Sequence, residues 1–71
     1  MNDYKFGNYL YALRKKAGLT QTTVAFQVGV TNKAVSKWEN GKSKPNNETL
    51  NKLANLYGVS ADSLLAKMSN K

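Results

Sequence analysis

Polar and basic side chains with strong hydrogen-bonding capacity are concentrated on one side of the segment from Asn32 to Asn40. At 100° per residue in a helix, the apolar side chains of this segment fall on one arc: Ala34, Val35 and Trp38. The opposite arc, called the polar arc below, holds Asn32, Lys33, Ser36, Lys37 and Asn40. An asparagine amide can bond bidentately to adenine, and a lysine can donate to guanine O6 and N7. The polar arc therefore predicts contact with base edges in a DNA major groove, with an ordinary solvated helix face as the alternative.

Two short helices joined by a glycine turn must position the polar arc. Thr20 is predicted to cap the first of them, which ends at Gly29 as a left-handed residue. Thr31 is predicted to cap the second, which runs to about Asn40. Apolar residues at helical spacing are expected to lock the pair together: Val24, Ala25, Val28, Val30, Val35 and Trp38. These residues are explained by packing alone, and Trp38 is assigned to the core rather than to stacking on a base.

Three further helices are predicted around this pair. The first starts at Asp3 as N-cap and runs to about Ala17, the fourth starts at Asn46 or Asn47 and ends at Gly58, and the fifth is capped by Ser60. The expected inward-facing residues are Phe6, Leu10 and Leu13, then Leu50, Leu53, Ala54 and Tyr57, then Leu64, Leu65 and Met68. Pro45 places residues 41–46 in a loop. Since no run alternates with strand period, the sequence predicts one all-α domain over residues 1–71, with its core in 4–68.

The charge and the reactive side chains restrict the classes of function. The 71 residues include 11 Lys and Arg against 4 Asp and Glu, a net charge of +7, which favours an acidic polymer as partner unless the charge serves only solubility. The chain has no cysteine and no histidine. The four acids are scattered and assemble neither a catalytic group nor a metal site, so we predict a protein that is not an enzyme and that has no cofactor.

The N-terminal residues lack the pattern of a signal peptide, and no run is apolar enough to span a membrane. These features predict a cytoplasmic protein without a membrane partner. We expect no small-molecule ligand.

Three segments, GLTQTTVA, GVTNKAVSKWENG and LNKLANLYGVSADSLL, resemble the Xre/Cro-type helix-turn-helix family of bacterial and phage transcriptional regulators. The upstream FGNYLYALRKKAGLTQ matches the first helix of that family, so the resemblance extends from Phe6 to Leu65. It implies a lambda-repressor-like domain of five helices with the helix-turn-helix at helices two and three. It also implies that the helix after Thr31 enters the major groove, while the helix starting at Gln21 lies across the backbone.

The resemblance also implies roles for individual residues. Base contacts are expected from Thr31, Asn32, Lys33, Ser36 and Lys37. Phosphate contacts are expected from Gln21, Thr22, Asn40, Lys42 and Lys44, although the two loop lysines would also suit a merely solvated surface. Arg14 and Glu39 are expected to form an internal salt bridge.

Two or three base contacts per half-site are too few for operator specificity, so a homodimer on a two-fold double-stranded site is expected. The predicted function is that of a repressor or Cro-like regulator, either as a minimal protein or as an excised DNA-binding domain. Phe26 departs from the family pattern, which has a polar residue there. We expect Phe26 to be partly exposed and packed against a neighbouring helix. The alternative is a protein partner bound through Phe26 or helix 1, as in a coactivator bridge or an antitoxin; non-specific nucleic-acid coating ranks third.

Overall fold

A computed structural model describes residues 4–68, and five helices make up the secondary structure of that part of the chain. Their bounds are α1 Tyr4–Ala17, α2 Gln21–Val28, α3 Asn32–Glu39, α4 Asn47–Tyr57 and α5 Ala61–Met68. The described residues contain no strand, which confirms the all-α prediction. None of these helices has the length and apolar character needed to cross a membrane.

Side-chain caps define the starts of four helices, as the sequence predicted. Each cap oxygen accepts a hydrogen bond from the backbone N–H three residues later, which satisfies one of the free donors of the first helical turn. The caps are Thr20 (3.1 Å), Thr31 (3.2 Å), Asn46 (2.9 Å) and Ser60 (3.1 Å). Of the two asparagines considered for α4, Asn46 is therefore the cap. The N-cap predicted at Asp3 lies outside the described residues.

A single core lies between the helices. Helix α1 packs against α3, α4 and α5, while α2 packs against α3 and α4. The buried apolar residues are Phe6, Leu10, Val24, Ala25, Val28, Val35, Trp38, Leu50, Leu53, Ala54 and Leu64. Leu13, Val30, Tyr57 and Met68 are partly buried against this core.

Two apolar residues are more exposed than the sequence indicated. The prediction of Leu65 as core is wrong, because it is 41% exposed and only its neighbour Leu64 is buried on α5. Phe26 is 82% exposed, so the expectation that it packs against a neighbouring helix is also wrong. The physical reason on α2 is that Val24, Ala25 and Val28 already form its buried side, which leaves Phe26 on the opposite side.

Close approach of α1 to the end of α3 depends on Gly7, which the sequence pattern did not reveal. A Cβ atom added at Gly7 would lie 2.5 Å from the carbonyl oxygen of Glu39 and 2.8 Å from that of Trp38. Backbone atoms cannot move aside as the tip of a flexible side chain can. Gly7 therefore fixes the distance between the first helix and the helix that carries the polar arc.

Candidate nucleic-acid interface

The turn between α2 and α3 sets the direction of the polar arc. Helix α2 ends at Gly29, whose φ of 76° lies in the left-handed region that side chains disfavour. The backbone N–H of Val30 then donates to the carbonyl of Ala25 over 2.9 Å, which closes the end of α2. Thr31 begins the next helix two residues after the glycine. This short connection leaves little freedom in how α3 projects from α2.

Helix α3 separates into a buried and an exposed side, as the helical plot predicted. Val35 is 2% exposed and Trp38 is 5% exposed, so both belong to the core. On the polar arc, Ser36 is half-buried and the other four members are exposed: Asn32, Lys33, Lys37 and Asn40. The exposed side thus carries two amides and two lysine cations, which suits hydrogen bonding to base edges and phosphates.

Two side-chain hydrogen bonds order the amides of the polar arc. Asn32 Nδ2 donates to Thr22 Oγ1 over 2.9 Å, which links the start of α3 to the start of α2. At the other end of the arc, Asn40 Nδ2 donates to Ser36 Oγ over 3.3 Å.

The expected salt bridge between Arg14 and Glu39 is confirmed. Arg14 Nε donates to Glu39 Oε2 over 2.7 Å, and Arg14 Nη2 donates to Glu39 Oε1 over 3.1 Å. The two side chains are only 11% and 6% exposed. Arg14 Nη1 also donates to the carbonyl oxygen of Leu19 over 3.0 Å, which ties the pair to the entrance of α2. The hydrogen bonds to Glu39 raise the pKa of Arg14 against the opposing effect of burial.

Gln21 extends this ion pair by a hydrogen bond, and Tyr57 feels its charges. Gln21 Nε2 donates to Glu39 Oε1 over 3.1 Å, so the glutamine expected to contact a phosphate is held by the ion pair. A side-chain amide has two N–H donors and one acceptor oxygen, so this bond still permits a second contact. Burial raises the pKa of Tyr57 to about 12, and the negative charge of Glu39 acts in the same direction while Arg14 opposes it. A tyrosine is already neutral at neutral pH, and this shift of its pKa keeps Tyr57 neutral in more alkaline solution as well.

The two loop lysines differ in their surroundings. Lys42 is exposed and lies three residues after the end of α3. Lys44 Nζ donates to the backbone carbonyl of Met68 over 3.2 Å, at the last residue of α5. A lysine is a favourable partner for the free carbonyls at a helix C-terminus. Lys44 thus links the loop to α5, a role that the sequence did not indicate because the two residues are 24 positions apart.

An open, polar depression of about 510 Å³ joins the ends of three helices next to the polar arc. Its lining comes from the end of α1 and the starts of α2 and α3: Arg14, Lys15, Gly18, Leu19, Thr20, Gln21, Thr22 and Asn32. Three of the predicted contact residues, Gln21, Thr22 and Asn32, therefore lie together on one concave surface. Lys42 and Lys44 are absent from that lining.

Residues 10–64 match the family described as helix-turn-helix. Over 62 residues, the chain is 40% identical to the HTH-type transcriptional activator BcrR of Enterococcus faecalis, covering 87% of this chain and 30% of that protein. It is 38% identical over 65 residues to repressor protein C2 of Salmonella phage P22, covering 92% of this chain and 30% of that protein.

Solved structures agree with these relatives. The crystal structure of the P22 c2 repressor in complex with a synthetic operator superposes with a TM-score of 0.80 at 37% identity, covering 83% of this chain and 89% of that chain. Hydroxypropylphosphonic acid epoxidase from S. wedmorenis has a TM-score of 0.77 at 25% identity, covering 89% of this chain and 34% of that chain, so the fold also occurs within an enzyme.

The fold, the packing of the helix pair and these similarities agree: the chain belongs to the helix-turn-helix family. Its members include activators and repressors by name. The chain spans from 30% to 57% of the length of the curated relatives it matches.

Proposed function

We propose that this domain binds double-stranded DNA in a sequence-specific manner by placing α3 in the major groove. The observation that carries the proposal is the division of α3 into a buried apolar side and an opposite arc of exposed amides and lysines with one half-buried serine. The net charge of +7 adds attraction to the phosphate backbone. The relative of 37% identity was solved in complex with a synthetic operator, which supports DNA binding by this fold.

The residues divide by role according to their position on the helix pair or in the loop that follows it. We assign base contacts to Thr31, Asn32, Lys33, Ser36 and Lys37, and phosphate contacts to Gln21, Thr22, Asn40, Lys42 and Lys44. Lys44 would have to share its cation between a phosphate and the carbonyl of Met68, or exchange one for the other.

The biological role proposed is transcriptional regulation inside the cell, as a repressor or Cro-like protein without catalytic activity. We propose that residues 1–71 act as one DNA-binding domain. One copy offers few base contacts, so a homodimer on a two-fold site, with the two α3 helices about 34 Å apart, would supply the required specificity.

Alanine variants should separate base reading from phosphate binding. We expect Asn32→Ala and Lys37→Ala each to relax preference at particular base pairs by about 1–3 kcal/mol. Lys42→Ala should weaken binding to all sequences alike and lower the slope of log affinity against log salt by about one. The measurement is fluorescence anisotropy with a selected site, its single-base variants and random DNA over a range of salt concentrations.

Lys67→Ala removes the same charge from α5 and serves as the matched control, since Lys67 lies over the ring of Tyr9 rather than on the polar arc. The slope of log affinity against log salt for Lys67→Ala should stay close to that of the unchanged protein. Equal losses on selected and random DNA for Asn32→Ala, Lys37→Ala and Lys42→Ala would contradict the proposal.

A contact with another protein is a second candidate function, and the exposure of Phe26 favours it. An aromatic side chain that is 82% exposed on a short helix buries almost none of its apolar surface within this domain. We expect Phe26→Ser to leave DNA affinity unchanged while weakening either self-association or capture of a partner protein. Sedimentation and affinity capture, with Gln27→Ser as the neighbouring control, would test this, and identical behaviour of both variants and the unchanged protein would exclude the contact.

A further inference from the structure

The dipeptide Asn40–Gly41 follows the last residue of α3 and is the one place in the sequence where glycine follows asparagine. Glycine has no side chain beside its backbone nitrogen, so this nitrogen approaches the side-chain amide of a preceding asparagine with the least steric hindrance. Attack on that amide leads to deamidation, which makes asparagine a thermally labile residue. Asn40 is therefore the asparagine of this chain whose neighbour favours the reaction most.

The reaction requires only water and a base that removes the proton of the Gly41 amide. The Gly41 nitrogen forms a bond to Asn40 Cγ, the bond from Cγ to Nδ2 breaks, and the Nδ2 group leaves as ammonia with the proton that the base returns. The product is a succinimide ring. Water then opens the ring at either carbonyl, which leaves aspartate in the normal chain or isoaspartate with the chain running through Cγ.

The folded backbone holds this site away from the geometry of ring closure. Closure places Cβ of Asn40 and the nitrogen of Gly41 on the same side of the Cα–C bond. With ψ at 2°, the backbone nitrogen of Asn40 occupies that position instead. The N–H of Gly41 also donates to the carbonyl of Trp38 over 3.2 Å. The end of α3 must therefore open before the ring forms.

Contacts with α1 oppose that opening. Gly7 lies against the carbonyl of Glu39, and Arg14 donates two hydrogen bonds to the Glu39 side chain. Asn40 itself is exposed, and its amide donates to Ser36 Oγ over 3.3 Å. Because helix ends at the surface open with lower free energies than the core, the site is reached by local opening rather than by global unfolding.

Deamidation would change what Asn40 offers to DNA. The proposed function assigns Asn40 a phosphate contact, in which the amide N–H is the donor. An ionised carboxylate is an acceptor only, and its negative charge is repelled by a phosphate. The modified domain thus loses a favourable contact and gains a repulsion at the same point.

We propose that Asn40 is a site of spontaneous deamidation through Gly41, and that this reaction slowly inactivates the domain for DNA binding. Bound DNA slows the reaction, because a ligand of the folded state opposes opening of the segment that it contacts. Unbound copies are then modified first. The inference rests on the proposed function for its effect on DNA binding, whereas the chemistry at Asn40 is independent of it.

The test incubates the purified protein in mildly alkaline buffer, with and without a selected DNA site, and maps its peptides by mass spectrometry. Cleavage after Lys37 and Lys42 releases residues 38–42, in which Asn40 is the sole asparagine. We expect this peptide to gain the mass of an amide converted to a carboxyl, several-fold more slowly with DNA bound and several-fold faster in urea. The other asparagines of residues 4–68 should react more slowly and serve as internal controls: Asn8, Asn32, Asn46, Asn47, Asn51 and Asn55.

Two substitutions separate the chemistry from its effect. Asn40→Gln keeps a side-chain amide but requires a larger ring, so its peptide should gain no mass and its initial DNA affinity should persist through the incubation. Asn40→Asp imitates the product and should bind the selected site at least about 10-fold more weakly, as the loss of a hydrogen bond to a charged group implies. The unchanged protein should approach this weaker affinity as its modified fraction grows.

Three results would overturn the inference. The first is a peptide 38–42 that gains no mass in the folded protein, and the second is an equal rate with and without bound DNA. The third is an Asn40→Asp variant that binds as tightly as the unchanged protein, which would remove Asn40 from the phosphate contacts but leave base reading by α3 intact. If fresh, unmodified protein selects no site at all, the proposed function fails instead, and the mass spectrum still decides the chemistry at Asn40.

Discussion

Replacing Gly7 with alanine should lower the free energy of unfolding by about 3 kcal/mol, the upper part of the range for overpacked sites. A Cβ atom at this position would lie 2.5 Å from the carbonyl oxygen of Glu39, so α1 and α3 would have to separate. The effect runs against local preference, because alanine inside a helix is favoured over glycine by about 1 kcal/mol. Thermal unfolding followed by circular dichroism would measure it.

Asn8→Ala is the matched control for this substitution, since Asn8 is the next residue of α1 and is exposed. Its free energy of unfolding should lie within about 0.5 kcal/mol of that of the unchanged protein. A Gly7→Ala variant as stable as Asn8→Ala would show that α1 and α3 tolerate a wider separation, and the account of Gly7 would be wrong.

Arg14→Ala should lower the free energy of unfolding by about 3–5 kcal/mol, because it leaves the carboxylate of Glu39 buried without its charged partner. Glu39 is 6% exposed and receives two hydrogen bonds from Arg14. For a domain of 71 residues such a loss is a large part of the total stability. Urea unfolding followed by circular dichroism would measure it, with Glu39→Gln as a milder variant that keeps the shape of the side chain.

The chain contains a suitable control in the exposed pair of Lys52 and Glu48, whose charged atoms are 3.9 Å apart on α4. Glu48→Gln should lower the free energy of unfolding by no more than about 1 kcal/mol, as expected for a surface ion pair. If Arg14→Ala were no more costly than Glu48→Gln, the interior ion pair would have no special role in stability.

Loss of the ion pair should also affect DNA binding, because Glu39 holds Gln21. The pair thereby joins three elements: the end of α1 through Arg14, the start of α2 through Gln21, and the end of α3 through Glu39 itself. A DNA phosphate that contacts Gln21 would therefore meet a side chain whose orientation Glu39 has already fixed.

The helix boundaries and caps could be predicted from the sequence because they depend on local chemistry. Threonine, serine and asparagine caps satisfy backbone donors within three residues, and Gly29 permits a left-handed turn without any distant contact. The division of α3 into a buried and an exposed side followed from its helical period. The Arg14–Glu39 pair was found through the family resemblance.

Features that depend on distant residues were not predicted. In the sequence Gly7 cannot be told from any other helical glycine, because its role depends on the packing of α3 against it. Nothing in the sequence indicates that Lys44 bonds to the carbonyl of Met68. The prediction for Leu65 fails because helical period alone does not say how wide the buried stripe of α5 is. The bond between Thr22 and Asn32 likewise depends on how two helices cross, which residue spacing does not fix.

Selection of binding sites from a random pool of double-stranded DNA at physiological salt tests the central claim most directly. We expect enrichment of a two-fold symmetric site whose half-sites lie about one helical turn apart, with an adenine at the position that Asn32→Ala relaxes. Binding that depends strongly on salt but enriches no sequence would contradict it, because α3 would then contribute charge without reading bases.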